Sequence, residues 1–303
     1  MNKRHLIYPL FLPMRGCPRR CVYCDQNKIS GSGEFDLENA VGEVAGFIRR
    51  NPGRDKQVAF YGGSFTALDE AFRSEVIERI GSVCDPKTTF RISTHPLYVE
   101  SAILDWCASK GIRTIELGIQ DFCDAVLVRS GRGYTGQEAR EAALRVKERG
   151  FELGAQLMPG LPGWSDESLR INHDALAELK PALLRLYPLI VIKGTPLERI
   201  YLEGKYKPLS LEEAVDQCAD YFPLAKANGI RIIKLGLPAN LSPEAIVAGP
   251  WHPAFGELVR AELRYRLMFD PASDTATQEL SERDLALIRV YRGAEFNPQQ
   301  RDL

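Results

Sequence analysis

No apolar run in this chain of 303 residues is long enough to cross a membrane, so no membrane partner is expected. No charge of one sign dominates either. The net charge is −1, which gives no whole-chain basic signature for nucleic acid. No fixed-period repeat and no low-complexity stretch occurs, which excludes solenoids and disordered arrays. A signal peptide is not expected, because Pro9 and Pro13 break the only apolar run near the N-terminus. Seven cysteines is an odd number and fits reduced thiols in a cytoplasmic setting better than a disulfide framework. What remains is an ordinary globular composition, 45% hydrophobic and 26% charged. That is enough chain for one large α/β domain or two small ones.

Against this plain background one stretch stands out: Gly16-Cys17-Pro18-Arg19-Arg20-Cys21-Val22-Tyr23-Cys24. No fourth cysteine or histidine follows closely. The spacing suits a [4Fe–4S] cluster whose irons are held by three thiolates, with one iron left open for a small molecule. In this it resembles the opening of the radical S-adenosylmethionine (radical SAM) enzymes. Two other readings stay open. A structural zinc site would need a fourth ligand from a distance, such as His5, Cys84, His95 or Cys107, and would suit a nucleic-acid-binding module. A cluster held without chemistry would make a redox sensor. The remaining cysteines, Cys84, Cys107, Cys123 and Cys218, are scattered and read as buried inert thiols.

Strand-like and helix-like segments alternate along the chain. Strands are expected at His5–Leu12, Val58–Tyr61, Thr88–Thr94, Ile112–Leu117, Phe151–Leu157, Leu183–Leu189 and Ile230–Leu235. Helices are expected at Asp36–Arg50, Asp69–Val83, Leu97–Lys110, Thr135–Arg149, Asp166–Leu179 and Leu209–Asn228. Strict alternation argues for a parallel sheet with helices outside, curled into a full or partial barrel by right-handed crossovers. The rhythm stops near Leu235. Beyond it Ala254–Met268 and Glu282–Tyr291 read as helices, and Asp270–Thr277 as a polar linker. We therefore expect residues 1–235 to form the barrel and residues 236–303 a C-terminal extension. Trp251, His252, Pro253 and Phe255 are candidates to close the barrel mouth.

The unusual connections fall at strand C-termini, the end that carries active sites in (β/α) barrels. Gly62-Gly63-Ser64 would let backbone groups approach a ligand, or is a plain turn. Glu116 and Gln120 end a strand; a carboxylate there could accept from a ribose diol, or be a solvated or capping group. Ser93 and Thr94 could reach polar groups of SAM. His95 before Pro96 reads first as structural. Gln156, Met158 and Gly160 begin a loop able to hold an adenine. Lys193 could meet a carboxylate or a phosphate, or simply be exposed. Arg19, Arg20, Lys28, Arg129, Arg132, Lys205 and Lys207 could meet a phosphate backbone or be solvated surface.

Read together, these stretches resemble one branch of the radical SAM superfamily: the radical SAM domain of the Elongator catalytic subunit and its shorter bacterial relatives. The matching segments are Gly16–Gln26, Phe60–Thr66, Ser93–Pro96, Ile115–Gln120, Ser130–Tyr134, Gly150–Met158, Gly160–Gly163 and Tyr187–Thr195. The resemblance implies a partial (β/α)6 TIM-like barrel. It implies Cys17, Cys21 and Cys24 as cluster ligands, SAM as second cofactor, and an electron donor of the flavodoxin or ferredoxin type. One electron then cleaves the sulfonium and yields a 5′-deoxyadenosyl radical that abstracts hydrogen from a substrate. There are departures. Ser64 stands where such a turn often has an acid, His95 replaces an arginine, and residues 236–303 are too few for the acetyltransferase domain of the Elongator subunit. The substrate expectation is therefore open between tRNA and a small metabolite, and no catalytic residue is assigned.

Overall fold

The computed structural model describes residues 5–12, 17, 21–25, 35–236, 241–268 and 280–296. Seven strands form its main sheet: β1 (Leu6–Phe11), β2 (Lys56–Tyr61), β3 (Thr88–Thr94), β4 (Ile112–Gln120), β5 (Glu152–Leu157), β6 (Leu183–Leu186) and, after a short β7 (Val191–Ile192), β8 (Arg231–Leu235). Neighbours pair in the order β1-β2-β3-β4-β5-β6-β8, and every pair is parallel. Among the described residues β1 and β8 do not pair, so the curled sheet is a half-barrel with an open seam between them. This is the expected α/β architecture, with β8 extending the sheet to a seventh strand.

The crossover helices start where the sequence signals them. Helix α1 (Leu37–Arg50) begins on Asp36, whose carboxylate accepts from the Asn39 amide at 3.0 Å, and ends on Arg49 and Arg50. Helix α2 (Glu70–Gly81) begins on Asp69 in the same way. Helix α3 (Ser101–Ser109) starts later than expected, because His95 and Pro96 open a separate 3₁₀ turn at Pro96–Tyr98. The short α4 (Asp124–Arg129) was not anticipated. Reciprocal capping boxes open α5 (Gly136–Glu148) at Thr135, and α6 (Asp166–Leu179) at Ser165. Another opens α8 (Leu211–Ala227) at Ser210, after the short α7 (Pro196–Leu202), which was also not anticipated. Leu104, Val146, Leu176 and Cys218 from these helices are fully buried against Ile92, Ile115, Leu117 and Leu184 of the sheet.

The strand expected to run to Leu189 stops at Leu186. The chain then forms β7, which pairs antiparallel with β9 (Ile246–Ala248). That strap ties the segment after β8 back over the end of the barrel. Phe255 is buried against Gly236, whereas Trp251 is exposed. Helices α9 (Phe255–Met268) and α10 (Glu282–Arg292) pack on α8. Arg266 reaches Asp216, Asp220 and Glu262, and Arg292 reaches Glu212, Asp216 and Glu262. The expected linker Asp270–Thr277 lies outside the described residues, as do Arg19, Arg20 and Lys28. Among the described residues, no helix is long and apolar enough to cross a membrane.

Candidate active site

The barrel strands alternate apolar residues toward the helices with polar ones toward the interior. Arg91, Glu116 and Arg185 therefore converge from β3, β4 and β6. Arg91 donates to Glu116 Oε1 at 2.8 Å, and Arg185 donates to both Glu116 oxygens. The Gln156 side-chain amide donates a hydrogen bond to Oε2 at 3.2 Å, and the Tyr61 hydroxyl reaches Oε1 at 3.4 Å while accepting from Arg185 at 2.6 Å. Glu116 is 1% exposed, and these donors fill its acceptor sites. Burial pushes its carboxyl up, but Arg185 and then Arg91 pull it down further, so that it lies below the ordinary carboxylate range. Gly154 beside it makes this possible: a Cβ there would stand 2.8 Å from Glu116 Cγ.

Above this layer opens a cavity of about 780 Å³, within the size range of small-molecule sites. Its walls carry Cys17, Cys21 and Cys24, Gly62, Gly63 and Ser64, Ser93, Gln120, Gln156 and Met158. Thus these ten residues, together with Thr94, His95 and Arg132, all singled out from the sequence, share one chamber. Glu116 does not line it but anchors Arg185 and Gln156, which do. Gly160 sits behind the wall, where its carbonyl accepts from the Tyr206 hydroxyl at 2.7 Å. Lys193 is exposed on the strap, with its amide on the Ala245 carbonyl at 2.9 Å.

The cysteine loop is held from below. Val22 donates to the Ser130 carbonyl and accepts from the Leu197 amide at 2.8 Å, and Cys21 and Tyr23 pack on Val126, Leu161 and Leu197. Arg132, also named above as a possible surface charge, is buried instead. It donates to Cys21 Sγ at 3.1 Å, to the Tyr23 and Tyr134 hydroxyls, and to the Gly118 carbonyl. Among the described residues no carboxylate touches it. Among the described residues no three His, Cys, Asp or Glu side chains, the cysteine trio included, gather tightly enough for a single metal ion.

Two backbone positions are specialised. Gln120 has φ of 71°, a region that non-glycine residues rarely occupy, and the Oε1 of its side chain is buried without a partner among the described residues. Gly62 has φ of 103°, and a Cβ on it would stand 2.0 Å from the Leu12 carbonyl oxygen. Gly62→Ala should therefore cost at least about 2 kcal/mol, because β1 and β2 must part at the cavity rim. Gly53→Ala is the control: it has φ of 70° but nothing within 4 Å. Melting curves that fall equally for both would refute the steric account.

Asp121 follows Gln120 and is 1% exposed. Burial pushes its carboxyl up to about 6, against the opposing pull of the Cys123 amide at 2.7 Å and the Asn172 amide group at 3.0 Å. A raised folded-state value means that its contribution is complete below about pH 4 and is lost as pH rises through 6. Asp121→Asn should thus gain on the wild type by up to about 3 kcal/mol between pH 4 and pH 7. Denaturation curves across that window test it; a difference independent of pH would refute it.

Sequence reasoning passed over Arg185, Tyr61, Tyr187 and Lys234, all of which line the chamber. The signal was present, since Arg185 and Lys234 are single charges inside apolar strands.

Comparison with known proteins agrees with this layout. Residues 11–175 match the family described as the radical SAM superfamily, and residues 181–265 match the radical SAM C-terminal domain. A tRNA uridine(34) acetyltransferase of Methanocaldococcus jannaschii is 31% identical over 55% of this chain and 31% of its own length. Elongator complex protein 3 of Danio rerio is 25% identical over 76% of the chain and 45% of its own length. The chain thus spans less than half the length of these relatives. Among solved structures, the Methanocaldococcus infernus Elp3 with an N-terminal deletion superposes with a TM-score of 0.68 at 20% identity, covering 86% of this chain and 63% of that one. The coproporphyrinogen III oxidase HemN of Escherichia coli gives 0.53 at 19% identity, covering 74% and 53%. At those identities the structural likeness speaks for the fold.

Proposed function

The chain belongs to the radical SAM superfamily, and on that premise we propose that the chamber above Glu116 is where SAM is cleaved reductively and a substrate loses a hydrogen atom. Membership makes the protein an enzyme with a [4Fe–4S] cluster and SAM as cofactors and a need for a reductant. When bound, these supply a 5′-deoxyadenosyl radical; the residues of the chain bind, orient and exclude water. In our reading Cys17, Cys21 and Cys24 hold the cluster. Gly62, Gly63, Ser64 and Ser93 take the polar groups of SAM. Gln120, Gln156 and Met158 line the nucleoside side, and Glu116 fixes Gln156 and Arg185 from beneath.

One observation carries this reading: the three cysteines and the two-glycine turn open onto the same chamber, with a buried guanidinium against Cys21. That guanidinium suits an anionic thiolate cluster, since a buried cation needs a counter-charge. We place the protein in the cytoplasm, where the thiols stay reduced, with a flavodoxin or ferredoxin as electron donor. The names of the relatives favour tRNA as substrate, whereas the net charge of −1 favours a small metabolite.

Anaerobic reconstitution tests the reading. We expect a brown protein with about four irons per chain that releases 5′-deoxyadenosine from SAM on reduction, and a colourless, inactive Cys21→Ala variant. A wild type that binds zinc without colour, or that carries a cluster but releases no 5′-deoxyadenosine, would refute it.

A further inference from the structure

The seam between β1 and β8 has two unlike walls. On β1, Ile7, Pro9 and Phe11 point into the chamber, and Ile7 and Phe11 are each 44% exposed although apolar. On β8, Lys234 lies beside Arg185 in parallel register, so both side chains share the interior face. The acids nearby are already engaged. Glu116 is shared by Arg91 and Arg185, and Glu152 lies 4.0 Å from Arg91 and 3.8 Å from Arg231. Lys234 is left with no acid and no hydrogen-bond acceptor among the described residues. Burial and the neighbouring Arg185 both disfavour its charge, as expected of a cation awaiting a partner. Tyr187, which lines the same wall, accepts from Arg185 at 3.2 Å but directs its own O–H proton to no acceptor among the described residues.

We infer that Lys234 and Tyr187 form an anion subsite at the seam, and that the substrate is a small acid whose carboxylate or phosphate docks there while its apolar body lies against Ile7, Pro9 and Phe11. The inference rests on the reading of the chamber as the SAM site and adds the class of the second molecule. The anion then enters where the barrel is open, at the seam between β1 and β8. A charge-assisted bond at this depth is stronger than a neutral one, so the acid group gives both affinity and orientation.

Malonate and inorganic phosphate are the probes for the two anion chemistries, titrated by calorimetry into the reconstituted protein with and without SAM; unfractionated tRNA is a third arm. We expect malonate, phosphate or both to bind the wild type, and Lys234→Met to weaken that binding about tenfold or more. Lys234→Arg should retain it, and Tyr187→Phe should weaken it in part. The SAM dissociation constant should stay within about twofold in Lys234→Met. Three results overturn the inference: equal binding of the small anions by wild type and Lys234→Met; loss of SAM affinity in Lys234→Met, which would assign the lysine to SAM; or Lys234-dependent binding of tRNA with none of the small anions. A wild type that fails to bind SAM defeats the reading of the chamber instead, and the comparison of small anions still decides the subsite.

Discussion

Replacing Glu116 by glutamine will lower the melting temperature by about 10 °C. The carboxylate is 1% exposed, and it is the acid on which both Arg91 and Arg185 close at hydrogen-bonding distance. Glutamine keeps the shape and removes the charge, so two guanidinium groups at the centre of the barrel lose their common counter-ion. Breaking a buried ion pair from one side costs about 3–5 kcal/mol, because the remaining charge stays desolvated. The effect should also depend on pH in the wild type. The folded-state carboxyl lies below its ordinary value, so the stability it contributes is present above the unfolded pKa and is lost as pH falls through the folded one. A double-mutant cycle isolates the pair: Glu116→Gln with Arg185→Met should cost less than the sum of the single changes by about 1–3 kcal/mol. Additive losses would show that the three charges are solvated separately and do not act as one unit. If the chamber holds SAM as proposed, the same substitution should weaken SAM binding, since Gln156 and Arg185 both line it and both are pinned by Glu116.

How far this centre could be foreseen follows from the range of its contacts. Local signals were readable. Asp36, Asp69, Thr135, Ser165 and Ser210 each cap the helix that follows them, and the relevant partner lies within three residues. The parallel half-barrel was readable from the alternation of periods. The cysteine spacing and the two-glycine turn were readable as motifs, and both open on the chamber. Glu116 was not, because its partners lie 25 and 69 residues away in sequence. Read alone, it suggested a free carboxylate for a ribose; in the fold its oxygens are filled by arginines. One pattern held the clue. Phe90-Arg91-Ile92, Ile115-Glu116-Leu117, Leu184-Arg185-Leu186 and Ile233-Lys234-Leu235 each place a single charge between apolar neighbours. In a strand whose apolar face meets helices, that charge must point into the barrel. Lys193 lacks this flanking pattern at a strand centre and stands on the exposed strap. The helices α4 and α7 and the strap itself were missed because six, seven and two or three residues are too few to show a period.

The second large effect is expected at Arg132. Its guanidinium is buried and donates to Cys21 Sγ, two tyrosine hydroxyls and a backbone carbonyl. Burial holds Tyr23 and Tyr134 in their neutral forms, with Tyr134 pushed up to about 12 and Tyr23 well above the usual phenol value. Among the described residues that leaves Cys21 as the one contact able to carry a full negative charge. In the thiol form the arginine is an uncompensated buried cation, a costly arrangement. In the thiolate form, as the cluster ligand proposed above, it is paired. Loading the cluster should therefore stabilise the wild type more than Arg132→Met. The charge should also act on the electron. An N–H donor and a cation beside a cluster sulfur favour the more negative, reduced state, so removing them should lower the midpoint potential by about 60–120 mV, a ten- to hundredfold change in the one-electron equilibrium. Arg132→Lys should restore part of that shift, because the charge returns without the fork of donors. Redox titration followed by EPR reads the potential directly, and iron content after reconstitution separates poor assembly from altered poise. A variant that assembles its cluster at the wild-type potential would reduce Arg132 to a packing residue; a lowered potential at full iron content would identify it as the group that makes the cluster reducible.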